Sequence, residues 1–146
     1  MRILLSVAVV LGVLVAGLAW TGSAVTGADA PAAGKIFELR EYKANPGKLD
    51  ALNARFRDHT CRLFKKHGVE IIGFWTPAEG DDAADTLLYL VAFPSVEAQK
   101  KAWAAFREDP EWVKAKADSE KDGSLVKMPG GISSKNYKAT DYSPIK

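Results

Sequence analysis

From Lys35 onward, apolar and polar residues recur at fixed spacings that predict alternating strands and helices. The run Lys35 to Lys43, KIFELREYK, places Ile36, Glu38, Arg40 and Tyr42 on one face and Phe37, Leu39 and Glu41 on the other. A period of two predicts a strand. Asn45-Pro46-Gly47 then offers a cap residue and a Pro suited to a first helical turn, where its missing N–H costs nothing. In the helix that follows, Leu49, Leu52, Phe56, His59 and Leu63 recur at steps of three and four, forming one stripe. Lys48, Asp50, Arg55, Arg57, Asp58 and Lys65 decorate the remaining surface. His67-Gly68 closes the helix, a cation near its negative end and a glycine available for a left-handed cap.

Val69 to Thr76 is β-branched and aromatic, and Pro77 stops it as a second strand. Ala78 to Ala84 has no periodicity and predicts a turn or loop. Thr86 to Phe93, TLLYLVAF, is apolar on both faces and predicts a central, covered third strand. Pro94-Ser95 ends that strand and caps a second helix, which turns Ala102, Trp103 and Phe106 inward and reaches Glu108. Asp109-Pro110-Glu111 restarts a short polar helix to about Lys121. Past the flexible Gly123 and Gly130-Gly131, Ile132 to Ala139 predicts a last strand. The order β-α-β-β-α-(α)-β is the split βαβ arrangement of an α+β, ferredoxin-like fold, an antiparallel four-stranded sheet with helices on one face. Its strands carry apolar residues on both faces, so the uncovered face predicts a second copy as partner, a homodimer.

The amino terminus follows a different pattern. Behind Met1-Arg2, the eighteen residues Ile3 to Trp20 carry no charge, and Thr21 to Gly34 are mostly small. Residues 1–32 therefore read as a signal peptide with a short linker, or as a retained single-span anchor. Either reading places the folded part, residues 35–146, across a membrane in a periplasmic or secreted setting, with no other membrane contact. Cleavage after Ala32 removes Arg2 and Asp29 together, so the net charge remains +2.

Composition narrows the picture further. Twenty Lys and Arg against 18 Asp and Glu provide no concentrated positive charge, which disfavours nucleic acid. The hydrophobic share of 47% excludes a disordered chain, although part of it belongs to the amino-terminal run. One Cys, Cys61, can form neither an internal disulfide nor a thiolate metal site. His59 and His67 lie more than two helical turns apart, so no metal site is expected. HExxH, CxxC, Walker and dinucleotide-glycine patterns are absent from the sequence.

Six segments in register, FELREY, NPGKLD, KKHGVEIIGFWT, LLYLVAF with Ser95 after it, EDPEW and TDYSPI, resemble the NIPSNAP domain family from Lys35 to Ile145. The resemblance implies a dimeric α/β barrel in which two ferredoxin-like sheets pack face to face. Members of the same superfamily include cofactor-free monooxygenases and haem-degrading enzymes. Some eukaryotic members are associated with mitochondria and vesicle traffic, a setting from which an exported chain departs.

The candidate ligand-binding residues are Glu38, Arg40, Tyr42, His59, Trp75 and Tyr89. His59 occupies a stripe position where Leu or Phe would be expected. It is either a ligand to substrate or haem iron, or a core histidine satisfied by a carbonyl or carboxylate. Glu38, Arg40 and Tyr42 share a strand face and either line a polar pocket, with Arg40 holding a carboxylate or phosphate, or form a cluster fixing strand register. Trp75 and Tyr89, on neighbouring strands, either stack on a flat ligand or fill the core. No catalytic constellation is complete. The leading expectation is a homodimer binding a small ligand without a cofactor. The alternatives are a cofactor-free or haem-handling monooxygenase and a structural partner-binding module that uses the helix around Trp112.

Overall fold

The computed structural model describes residues 34–146; the proposed export segment lies outside the described residues. Strand β1 (Ile36–Lys43) leads to helix α1 (Leu49–Arg55), a π-helical stretch (Phe56–Thr60) and helix α2 (Cys61–Lys66). Strands β2 (Glu70–Trp75) and β3 (Thr86–Phe93), helices α3 (Val96–Glu108) and α4 (Pro110–Ser119), and strand β4 (Ile132–Lys138) complete the order. The sheet runs β2-β3-β1-β4, and its neighbours are all antiparallel. This is the expected ferredoxin-like α+β topology, with β3 in the interior.

Local chemistry explains most element ends. The Ser95 hydroxyl accepts from the Ala98 N–H at 3.1 Å and caps α3, and the Asp109 carboxylate accepts from the Glu111 N–H at 2.8 Å and caps α4. Gly68, at φ 74°, closes α2: its own N–H reaches the Lys65 carbonyl and the Val69 N–H reaches that of Phe64. This double bond pattern needs a left-handed residue.

Three expectations are corrected. Asn45-Pro46-Gly47 does not cap a helix. Pro46 and Gly47, the latter at φ 71°, form a turn closed by the Lys48 N–H to the Asn45 carbonyl at 2.9 Å, and α1 begins only at Leu49. The Asn45 amide instead donates to the Ser124 and Val126 carbonyls. Second, the stretch between Gly123 and Gly131 is held in place: Leu125 and Val126 are buried in the core, the Lys127 N–H donates to the Lys43 carbonyl at 2.8 Å, and the Lys43 N–H donates to the Gly131 carbonyl at 2.7 Å. Third, the helix from Leu49 to Lys66 does not keep one α-helical phase. Its π-helical stretch holds an extra residue per turn, and the Thr60 hydroxyl donates to the Arg55 carbonyl at 3.2 Å. Phe56 keeps its inward position, Thr60 rather than His59 follows it toward the sheet, and His59 is exposed.

The core lies between the helices and one face of the sheet. Leu87, Tyr89, Val91 and Phe93 meet Leu52, Phe56, Leu63, Phe64, Ala102 and Phe106. Burying each large apolar side chain stabilises the fold by about 1.5–3 kcal/mol. The opposite face carries Leu39, Leu88 and Leu90, all half-buried, and the more exposed Trp75 and Tyr137. The chain beyond β4 returns across one end of this outer face and covers Phe37.

Candidate functional site

Of the six candidates, four form one connected polar cluster between the helices and the β1 end of the sheet. Glu38 is buried, and each of its oxygens accepts two hydrogen bonds. Oε1 accepts from the Arg40 guanidinium at 2.7 Å and the Ser134 hydroxyl at 2.6 Å. Oε2 accepts from the Gln99 amide and the Trp103 indole, both at 2.6 Å. Burial pushes the carboxyl pKa up, but the Ser134, Trp103, Gln99 and Arg40 donors outweigh it and hold the group below its ordinary 4.5. The carboxylate joins β1, β4 and α3, and no oxygen is left undonated to act as a base.

Arg40 lies over the Trp103 ring at 4.9 Å and near the Tyr42 ring at 5.7 Å. Burial disfavours its charge, yet the Tyr89 and Tyr42 hydroxyls and Glu38 outweigh that penalty and hold its pKa above the ordinary value. Tyr89 donates to the Tyr42 hydroxyl at 3.3 Å, and burial pushes its own phenol well above the usual range, so it stays protonated. The Arg40 Nε is buried without a partner.

His59 and Trp75 do not join this cluster. The π-helical slip described above turns His59 to solvent, so the expectation that it faces the sheet fails. Trp75 and Tyr89 do not share a face either. Ile71 pairs with Val91 but Gly73 pairs with Leu90, leaving Ile72 as a bulge that reverses the alternation of β2. Phe74 then meets Tyr89 in the core, with ring centroids 5.5 Å apart, whereas Trp75 sits opposite Leu88 on the outer face, its ring lying over Gly73. A flat ligand cannot lie between Trp75 and Tyr89.

Gln99, Ser134 and Asn136 are not among the six candidates, and the sequence assigns Trp103 to the core or to a dimer contact. Gln99 and Trp103 are four apart on the inward side of α3, a spacing that aims both at one strand residue. Ser134 and Asn136 reach Glu38 only because β4 pairs with β1, with Asn136 opposite Glu38. The Asn136 and Gln99 side-chain amides exchange bonds at 2.8 and 2.9 Å.

His67, expected only to complement the helix end, also has a partner: its Nε2 lies 2.6 Å from the Asp109 carboxylate. Among the described residues, no three His, Cys, Asp or Glu side chains converge as metal ligands.

Concavities also lie outside the cluster. On the outer face, Phe37, Leu39, Leu90, Tyr137 and Ile145 line a cleft of about 320 Å³ between the sheet and the returning carboxy-terminal segment. At the β2 edge, Asn53, Phe56, Arg57, Cys61, Phe74 and Leu87 line a smaller one of about 250 Å³.

The fold recurs in solved structures. A NIPSNAP family protein of unknown function from Agrobacterium tumefaciens aligns at 21% identity with a TM-score of 0.65, covering 77% of this chain and 95% of its own. An uncharacterised NIPSNAP-like domain protein from Burkholderia xenovorans aligns at 17% identity and TM-score 0.65, covering 76% and 90%. SnoaB, a cofactor-independent oxygenase from Streptomyces nogalater, aligns at 12% identity and TM-score 0.51, covering 77% and 99%. At these identities the likeness is one of fold. No curated protein matches the chain. The family model described as NIPSNAP matches residues 37–144, from the first strand to the returning carboxy-terminal segment, and the chain belongs to the NIPSNAP family.

Proposed function

We propose that this chain works as an exported homodimer that binds a small apolar ligand on the outer face of its sheet. The outer face carries the proposal: Leu39, Leu88, Leu90, Trp75 and Tyr137 form an apolar surface on a sheet whose helices cover only the other side. A small domain gains stability by covering such a surface, and a second copy presents a self-complementary one. The cleft lined by Phe37, Leu39, Leu90, Tyr137 and Ile145 opens on this same face, so a partner sheet would close it over a ligand. Its volume, about 320 Å³, is at the small end of ligand pockets, which span roughly 300–1,000 Å³. The uncharged run Ile3 to Trp20 supports export.

Native mass spectrometry of protein made from the full chain tests the reading. The expected species has twice the protomer mass and carries a small-molecule adduct that Leu90→Asp abolishes together with the dimer. A monomer in the wild type at micromolar concentration rejects the dimer. A dimer that carries no adduct rejects the ligand.

A further inference from the structure

The smaller concavity lies on the helical side of the sheet, away from the outer face, and its construction is specific. The π-helical stretch forms part of its wall. Phe56 faces the core at the sheet and Arg57 faces outward, so an apolar wall and a cation stand side by side at the start of that stretch. Stretches of this kind recur at ligand sites because they re-aim side chains that a regular helix would space differently. Phe74 and Leu87 supply the floor, and the Phe56 and Phe74 rings meet edge-on with centroids 5.5 Å apart. Asn53 and Cys61 complete the lining one turn to either side.

Charge distinguishes this opening from an ordinary surface depression. Three cations of the same helical segment are engaged, Arg55 by Glu120 at 2.8 Å, Arg62 by Glu111 at 2.6 Å and Lys66 by Asp109 at 2.8 Å, whereas Lys65 is exposed and does not line the cleft. Arg57 alone among these lining residues carries charge, is exposed, and has no carboxylate of the described residues within 4.0 Å. We infer that the cleft lined by Phe56, Phe74, Leu87 and Arg57 binds a small monocarboxylate with a medium-chain or aromatic body. The body lies against the two rings and Leu87, and the carboxylate takes the Arg57 fork, with the Asn53 amide beside it. A planar guanidinium suits a carboxylate because two parallel N–H donors match its two oxygens. A volume of about 250 Å³ limits the occupant to a small molecule.

Cys61 is the only cysteine of the chain and lines this cleft, so its alkylation reports occupancy. Burial raises its pKa, with Lys65 opposing, and the reaction with iodoacetamide is therefore run above pH 9.0, the ordinary thiol value. In the wild type, octanoate should slow alkylation saturably, and octanol should do so more weakly. Arg57→Gln, at an exposed position, should leave folding intact and raise the octanoate concentration needed by about tenfold, with octanol unaffected. Backbone amide shifts of Asn53 and Phe74 on adding octanoate provide a second readout that does not use the thiol. The inference is overturned if octanoate neither protects Cys61 nor moves those amides. It is equally overturned if Arg57→Gln binds octanoate as well as the wild type, or if octanol matches octanoate. Because the cleft and Cys61 lie on the helical side, the readout is the same in monomer and dimer and is separate from the outer-face proposal.

Discussion

Glu38→Gln preserves the shape of the most heavily bonded side chain among the described residues and removes its charge. The carboxylate takes four donors, from Arg40, Ser134, Gln99 and Trp103. A glutamine oxygen accepts only two of them, and its amide nitrogen turns two N–H groups toward the remaining donors. Removing one partner of a buried ion pair costs about 3–5 kcal/mol. The Arg40 side chain keeps 18% of its exposure, which lets water soften the loss, so the lower end, about 3 kcal/mol, is expected. For a domain of this size that corresponds to a fall in Tm of roughly 10–15 °C. Urea unfolding followed by circular dichroism should show a lower midpoint with an unchanged m-value. In a double-mutant cycle with Arg40→Met, the two losses should be strongly non-additive. The pH dependence has a definite sign. The folded carboxyl titrates below the ordinary 4.5, so its stabilisation is complete above that value and is lost as pH falls through the lower folded pKa. The gap between wild type and Glu38→Gln should therefore be constant near neutrality and shrink in acid. A loss below about 1 kcal/mol, or a gap that persists undiminished in strong acid, would refute the clamp assigned to Glu38.

Two further substitutions test local readings. His59→Ala should change stability by no more than about 0.5 kcal/mol, because the ring is exposed. Haemin titration should give the same Soret band in wild type and His59→Ala, because no pocket of the described residues encloses the exposed ring, and a His59-dependent shift would restore this residue as a haem ligand. Gly68→Ala should cost about 1 kcal/mol by forcing a side chain into φ 74°, read as a lowered urea midpoint; an unchanged midpoint would mean that α2 ends without the left-handed cap.

Much of the fold was legible because it depends on neighbours in the chain. The alternation of Ile36 to Tyr42 and the apolar run of Thr86 to Phe93 identify their strands whatever surrounds them. Ser95, Asp109 and Gly68 end or begin helices through bonds that reach only a few residues. The candidate site was partly legible for the same reason: Glu38, Arg40 and Tyr42 share a face by strand period alone, and Tyr89 faces them because β3 pairs beside β1, Arg40 opposite Tyr89.

Tertiary packing decided the remainder. Spacing places His59 inward in a regular helix, but the extra residue in the π-helical turn brings Thr60 to the sheet in its place, while Phe56 stays inward. In the same way, one unpaired residue at Ile72 sends Trp75 to the outer face, because a strand alternates and a single insertion inverts every later side chain. Ser134, Asn136 and Gln99 meet Glu38 across sequence separations that no periodicity encodes. The sequence by itself determined the elements, their order and the α+β class, since these follow from local periodicity and capping, and its six segments in register carry the resemblance to the family. Only the tertiary structure decided which way individual side chains point, because one inserted residue costs little locally and is selected by the packing of the whole core.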